Sequence, residues 1–215
     1  MKYFIIIKEH SERVQNKNFR KLGNLPLWKH LVFELINESV YIDTDSSEIL
    51  QECSKLKWVN VYKRKQEHID LESNNTFKVS PVLLMVERFL NEYVEDENEI
   101  IITPHVTSPF IKKTTIMEAV KFLGKGYDSV QACTIHQEFA YFKGNPINFD
   151  KNIVQKTQDL TPIIMGNGAF FIFNKKIFKK NKNRIGDNPY FYPLSFKESI
   201  EIDNETDFEI AKKFI

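Results

Sequence analysis

The sequence predicts an α/β fold of three layers, with helices on both faces of a mostly parallel central sheet. Three observations lead there. Two short apolar runs, Phe4 to Ile7 and Glu99 to Thr103, lack polar alternation, as strands buried on both faces of a parallel sheet do. Strand-like and helix-like segments alternate along most of the chain, the pattern of parallel strands joined by crossover helices. At 215 residues, 42% hydrophobic and 27% charged, the chain suffices for one substantial core and is short for two, so residues 1–215 read as a single domain.

The first strand, Phe4 to Ile7, opens onto a loop in which Lys8, Arg13, Lys17 and Arg20 crowd together, with Ser11, Asn16 and Asn18 between them. Ligands of open α/β sheets bind outside the carboxyl ends of strands. This mixture suits a polyphosphate, whose charge the cations neutralise while backbone N–H groups and amides fix its oxygens; a solvated basic loop is the alternative. Leu27 to Ile36 places apolar residues at helical spacing with Pro26 at its first turn. Ser39 to Ile42 reads as a second strand running into Asp43-Thr44-Asp45, and Ser46 or Ser47 caps the helix carrying Glu48, Ile49 and Leu50. Val59 to Tyr62 is a third strand, and the polar stretch after it, residues 63–76, reads as a loop.

Val82 to Tyr93 is an amphipathic helix. The strand Glu99 to Thr103 ends at Pro104-His105-Val106-Thr107-Ser108-Pro109, followed by a helix over Thr114 to Leu123 and a strand over Ser129 to Thr134. The alternation then weakens. Tyr141, Phe142, Phe149 and Ile153 lie between turn signals such as Lys143-Gly144-Asn145-Pro146, so residues 135–165 read as an excursion from the main sheet, a dimerisation surface or else a surface loop. Ala169 to Phe173 resumes the sheet, and Asn174 to Arg184 reads as a solvated basic helix or loop. Thr206 to Phe214 is a closing helix with Asp207 in its first turn.

Before that helix, Ser199 to Asp203 (SIEID) alternates. If extended, it turns Glu201 and Asp203 to one face while Ile200 and Ile202 hold the other against the core. Two converging carboxylates make a hard oxygen site suited to a magnesium ion that also takes phosphate oxygens. An edge strand with an exposed acidic face is the alternative.

Thirty Lys plus Arg balance twenty-nine Asp plus Glu for a net charge of +1, so no global field draws the chain to nucleic acid or a membrane surface. Cys53 and Cys133 have no companions at metal-ligand spacing and read as core thiols. No run approaches the length of a membrane span and the start lacks a signal-peptide cleavage site, so the expectation is a soluble cytoplasmic protein.

Several segments form an ordered set: Lys8 to Asn18 (KEHSERVQNKN), Asp43-Thr44-Asp45 followed by Glu48-Ile49, Arg64 with Glu67, Thr103 to Phe110, Asn167 to Phe171, and Ser199 to Asp203 with the helix after it. In that order the chain resembles the acylneuraminate cytidylyltransferases, the enzymes that make CMP-activated sialic acids, and more distantly the CMP-Kdo synthetases. The family's opening ARGGSKRIPNKN matches at Ser11, Arg13, Asn16, Lys17 and Asn18, with Lys8 in place of an arginine. The resemblance implies a nucleotide-diphospho-sugar transferase (GT-A-like) fold, a homodimer through residues 135–165, and transfer of CMP from CTP to an acidic sugar with release of pyrophosphate. By motif position, Lys8, Arg13 and Lys17 would hold the triphosphate with Ser11 and Asn18 nearby, and Arg64 and Asp45 would make further nucleotide contacts. Glu201 and Asp203 would hold Mg2+, with Asp203 counted among the catalytic residues. His105, Thr107, Ser108, Asn167 and Gln158 would line the acceptor side, His105 either as a general base, since a free imidazole titrates near neutrality, or as a hydrogen-bonding replacement for the family's glutamine.

The departures are specific. Both glycines of the phosphate loop are replaced, by Glu9 and His10, which removes freedom for close backbone approach, and a family lysine is Glu12. The first metal carboxylate is Glu201 in place of an aspartate. The positions of the sugar-binding arginines hold Thr157 and Met165, with only Lys156 close. Other readings stay open: a cytidylyltransferase for Kdo or a phosphonate, a glycosyltransferase using Asp43-Thr44-Asp45 as its metal motif, and a non-catalytic nucleotide-binding homologue. Exchanging Glu12 for Lys is expected to tighten CTP binding by removing a negative charge beside the triphosphate; unaltered affinity in a calorimetric titration would show that position 12 does not face it.

Overall fold

The computed structural model describes residues 1–11, 13–73 and 80–215, so Glu12 lies outside the described residues. Seven strands form the central sheet: β1 (Lys2–Ile7), β2 (Val40–Thr44), β3 (Val59–Lys63), β4 (Ile100–Pro104), β5 (Ser129–His136), β6 (Ile163–Asn174) and β7 (Pro189–Pro193). Their spatial order is β7-β5-β6-β4-β1-β2-β3. All adjacent pairs are parallel except the two made by β6, which runs antiparallel to both β4 and β5. The chain builds outward from β1 through β2 to β3, then returns to β1's other side as β4. That reversal places the topological switch point between the carboxyl ends of β1 and β4, where such sheets open a crevice.

Period-two alternation along β1 explains the layers. Tyr3, Ile5 and Ile7 face a cluster with Trp28, Leu31 and Val32 of helix α1 (Leu27–Glu34), Ile49 and Cys53 of α2 (Ser47–Cys53), and Ile116 and Ala119 of α5 (Lys113–Val120). Phe4 faces the opposite layer, where α4 (Pro81–Tyr93) buries Met85, Val86, Phe89 and Leu90, joined by Phe178 of α6 (Lys175–Asn181). Phe89 stacks on Phe4 with ring centroids 4.5 Å apart. The three-layer expectation is met. A third, smaller cluster joins Leu22, Leu27 and Phe110 to Ile200, Ile202 and to Phe208 and Ala211 of the closing helix α7 (Glu205–Lys212).

Three local expectations are corrected. Residues 66–73, read as loop, form helix α3 (Gln66–Ser73), and residues 74–76 lie outside the described residues. β7 was not expected; proline at both ends suits an edge strand, where a missing N–H costs no ladder bond. Ser199 to Asp203 alternates in burial as expected but joins no ladder: Ile202 N–H donates instead to the Thr107 carbonyl at 2.8 Å. The excursion is partly sheet. β5 and β6 pair across its base, from His136 with Ile163, and Tyr141–Phe142 pairs with Asn145–Pro146 in a small hairpin. Among the described residues, no helix is long and apolar enough to cross a membrane.

Candidate active site

A cavity of about 430 Å³ opens at the switch point, lined from the loop after β1 by Lys8, Ser11, Arg13, Lys17 and Asn18, from the loop after β4 by His105, Val106 and Thr107, and from the C-terminal segment by Glu201 and Asp203. Local chemistry shapes its cationic wall. Asn16 takes a left-handed conformation (φ 52°), which asparagine tolerates, and starts a 3-10 turn over Lys17–Phe19 that turns Lys17 inward. Asn18 Nδ2 donates to the Lys8 carbonyl at 2.8 Å, tying both ends of the loop together. Lys17, almost buried, donates through Nζ to the Ile202 carbonyl at 2.7 Å and lies 3.6 Å from Asp203. Burial pulls the Lys17 ammonium below its ordinary range, and the Asp203 carboxylate partly restores it. Arg13 reaches Asp203 at 2.7 Å, and Lys8 lies 3.6 Å from Glu72 on α3.

The facing wall is acidic. Ile200 and Ile202 are buried while Glu201 and Asp203 line the cavity, the two-sided arrangement expected of the segment. Asp207 Oδ2, in the capping box that starts α7, accepts the N–H groups of Asp203 and Asn204 and so fixes the backbone behind the second carboxylate. Glu201 accepts from the Gly168 N–H at 3.2 Å and the Thr107 hydroxyl at 3.4 Å. A Cβ at position 168 would lie 2.6 Å from Glu201 Oε1, so the carboxylate packs directly on a bare backbone. His105 Nδ1 stands 3.9 Å from Glu201, too long for a hydrogen bond. The facing imidazole, with the Gly168 amide and Thr107 hydroxyl, holds the Glu201 carboxyl below the usual carboxylate range against the burial that would raise it. On its other edge His105 Nε2 lies 3.3 Å from Arg184 Nη1. A guanidinium only donates, so Nε2 accepts and Nδ1 carries the ring proton toward Glu201.

Residues 5–214 match the family model described as cytidylyltransferase. The chain belongs to the cytidylyltransferase family. Relatives include the N-acylneuraminate cytidylyltransferase of Streptococcus agalactiae serotype III (strain NEM316), 27% identical over 214 residues covering 92% of this chain and 49% of that protein. N-acylneuraminate cytidylyltransferase A of Danio rerio is 25% identical over 97% of this chain and 49% of that protein. This cytidylyltransferase-family chain thus spans about half the length of those relatives. Post-translational flagellin modification protein B of Campylobacter coli is 22% identical over 95% of this chain and 90% of its own. Among solved structures, a CMP:2-keto-3-deoxy-manno-octonic acid synthetase in complex with CTP superposes with a TM-score of 0.62 at 12% identity, covering 99% of this chain and 96% of that one. A 4-diphosphocytidyl-2C-methyl-D-erythritol synthase does so with a TM-score of 0.62 at 9% identity, covering 99% and 97%. These likenesses establish the nucleotidyltransferase fold of the family.

Of the residues singled out from the sequence of this cytidylyltransferase-family chain, Lys8, Ser11, Arg13, Lys17, Asn18, His105, Thr107, Glu201 and Asp203 meet at the cavity. The others stand apart from its wall. Arg64, expected as a nucleotide contact, is fully buried: it reaches Asp43 at 2.7 Å, Glu72 at 3.0 Å and the Ile7 carbonyl at 3.2 Å. It is a strut joining the ends of β1 and β2 to α3. The same pairing buries Asp43 completely, so Asp43-Thr44-Asp45 does not present two open carboxylates as a glycosyltransferase metal motif would. Asp45 accepts the Glu9 N–H at 2.8 Å and pins the loop after β1. Ser108 is buried in the turn that His105 begins. Asn167 donates to the Ser199 carbonyl at 3.0 Å and accepts from Ala169 N–H at 2.8 Å, holding β6 against the acidic segment. Gln158 is exposed on the excursion, its carbonyl accepting from Gln137 at 2.7 Å. Arg184 and Glu72 were not singled out, Arg184 because it ends a basic run that reads as solvated, Glu72 because α3 reads as loop. Arg64→Ala is expected to lower stability by about 3 kcal/mol, since it leaves the buried Asp43 without its hydrogen-bonded cation and with only Arg88, 3.7 Å away, to compensate it; urea unfolding at constant m-value checks it, and unchanged stability with weakened CTP binding would return Arg64 to the nucleotide site.

Proposed function

We propose that this chain is a CTP-dependent cytidylyltransferase that transfers CMP to an acidic sugar, a sialic acid or related nonulosonate, and releases pyrophosphate. One observation carries the reading: a single cavity at the sheet's switch point opposes the cations Lys8, Arg13 and Lys17 to the carboxylates Glu201 and Asp203. The acceptor hydroxyl attacks the α-phosphorus of CTP and gives up its proton to solvent, a new P–O bond forms, and the bond to the bridging oxygen breaks, so that pyrophosphate leaves with that oxygen and its electron pair. Such chemistry asks mainly for positioning and charge stabilisation. Arg13 and Asp203 are both substantially exposed, and such a pair is worth only about 0–1 kcal/mol. A triphosphate therefore draws Arg13 away from Asp203 at little cost. Lys17 stays anchored on the Ile202 carbonyl and has two further N–H groups for phosphate oxygens.

The residues present fit a magnesium ion. Glu201 is kept ionised, Asp203 takes its hydrogen bond from Arg13 on Oδ1 alone, and both carboxylates line one cavity. Among the described residues no cluster of three or more His, Cys, Asp or Glu could cage a metal. Two carboxylates, with the remaining positions filled by substrate phosphate and water, is a usual magnesium environment. When bound there, Mg2+ would neutralise negative charge on the phosphate oxygens. The acidic character of the acceptor is supported by the relatives named for N-acylneuraminate, while the departures on the acceptor side leave the choice of acid to assay. Pyrophosphate release should occur with CTP, Mg2+ and one acid from a panel of sialic, legionaminic and pseudaminic acids, Kdo and simple phosphonates. Asp203→Ala should cut that rate by about 10²-fold or more while leaving the melting temperature near wild type. Release with another nucleotide would overturn the CTP assignment, and an undiminished rate in Asp203→Ala the metal assignment.

We infer in addition that the protein is a homodimer through residues 135–165. Ile135, Tyr141, Phe142, Ile164 and Met165 are all exposed along this excursion, a concentration of apolar surface that monomers seldom leave uncovered. Sedimentation velocity at micromolar concentration should return a dimer, and the double variant Phe142→Asp, Ile164→Asp a monomer; a monomeric wild-type protein would refute the assignment.

A further inference from the structure

Arg184 holds a positive charge without a counter-charge. The chain's other four arginines each reach a carboxylate: Arg13 to Asp203, Arg20 to Glu205, Arg64 to Asp43 and Arg88 to Glu92. Among the described residues no carboxylate lies within 4.0 Å of Arg184. Its Nη1 reaches only Thr103 Oγ1 at 3.4 Å and His105 Nε2 at 3.3 Å, both long contacts, and its Nε is buried with no hydrogen-bond partner among the described residues. The guanidinium carbon lies 3.8 Å from the centroid of the Phe171 ring, which fixes the plane of the group. Burial pushes the guanidinium down to about 10, a sign of how little else stabilises its charge.

A half-buried and unpaired guanidinium is costly in the free protein. Its location says what offsets the cost. Thr103 and His105 stand at the carboxyl end of β4, and His105 lines the cavity. The cations that line the cavity all come from the loop after β1, leaving the His105 side with none of its own. A planar fork on that side matches an oxyanion, above all the two coplanar oxygens of a carboxylate. We propose that Arg184 is the carboxylate-recognition residue of the acceptor subsite, taking the carboxylate of the acidic sugar on the terminal edge formed by Nη1 and Nη2, Nε being closed to a ligand. This rests on the reading of the chain as a cytidylyltransferase for an acidic acceptor.

The test compares wild type with Arg184→Met and Arg184→Lys. Arg184→Met should raise KM for the acidic sugar roughly 10- to 100-fold and leave KM for CTP within about twofold. Its melting temperature should be unchanged or higher by about 2–4 °C, because an uncompensated, half-buried charge has been removed. Arg184→Lys, which keeps the charge and loses the fork, should fall between. The sugar's methyl ester should lose affinity for wild type by the same factor and bind the two proteins alike. A drop in melting temperature would make Arg184 a strut for Thr103 and His105, and an equal rise in KM for CTP would assign it to phosphate; either overturns the proposal. Ligand-observed NMR with sialic acid and Kdo separates the two readings. Binding that depends on Arg184 without turnover would sustain this subsite and refute the transferase, whereas turnover indifferent to Arg184 would do the reverse.

Discussion

The backbone of Ile202 holds the candidate site together. Its N–H donates to the Thr107 carbonyl at 2.8 Å, and its carbonyl accepts Lys17 Nζ at 2.7 Å. One residue's two flanking peptide groups thus join the loop after β1, the loop after β4 and the C-terminal segment, which lie far apart in sequence. The segment has no sheet ladder to define it, so burial of Ile200 and Ile202 and a few isolated hydrogen bonds must do so. At about 1.5–3 kcal/mol for each buried side chain, the two isoleucines offset a large part of the backbone entropy lost in ordering the segment, and the bonds made by the N–H groups of Ile202 and Asp203 add to them. The carboxylates on the opposite face are carried into place by apolar anchors that never touch a ligand.

Charge in the cavity is organised by pre-pairing. Arg13 and Lys17 rest against Asp203, and Lys8 rests near Glu72. Their strengths differ with exposure: the Arg13 pair is open to solvent and exchangeable, while Lys17 is almost buried and committed to a backbone carbonyl. The wall thus contains one fixed cation and two that can re-pair. Beneath it, the fully buried Arg64 and Asp43 keep the strand ends in register, a structural duty that resembles a binding role when only the residue types are known.

Much of this was legible in the sequence because its causes are local. The unbroken apolar runs of β1 and β4, the stripe of α4 and Asp207 in the first turn of α7 announce themselves within a few residues. The convergence of the basic loop with Glu201 and Asp203 was also readable, since alternation decides which side chains share a face whether or not a ladder forms. The rest depends on distant contacts. Helix α3 carries little apolar patterning and closes over Arg64; β7 is bracketed by prolines and finds its place by pairing with β5. Arg184 hides at the end of a lysine-rich run, and only the fold distinguishes it from its solvated neighbours by laying it on Phe171.

The contact between Gly168 and Glu201 makes these two positions epistatic. With glutamate at 201, the carboxylate occupies the volume that any side chain at 168 would need. A shorter acid at 201 would draw its oxygens back by about one methylene and relieve that exclusion. Sequence drift across this pair therefore has a permitted order: position 201 can shorten while 168 stays glycine, but 168 can gain a side chain only afterwards. The longer acid has removed a step of evolutionary freedom from a residue thirty-three positions away, across the cavity's edge.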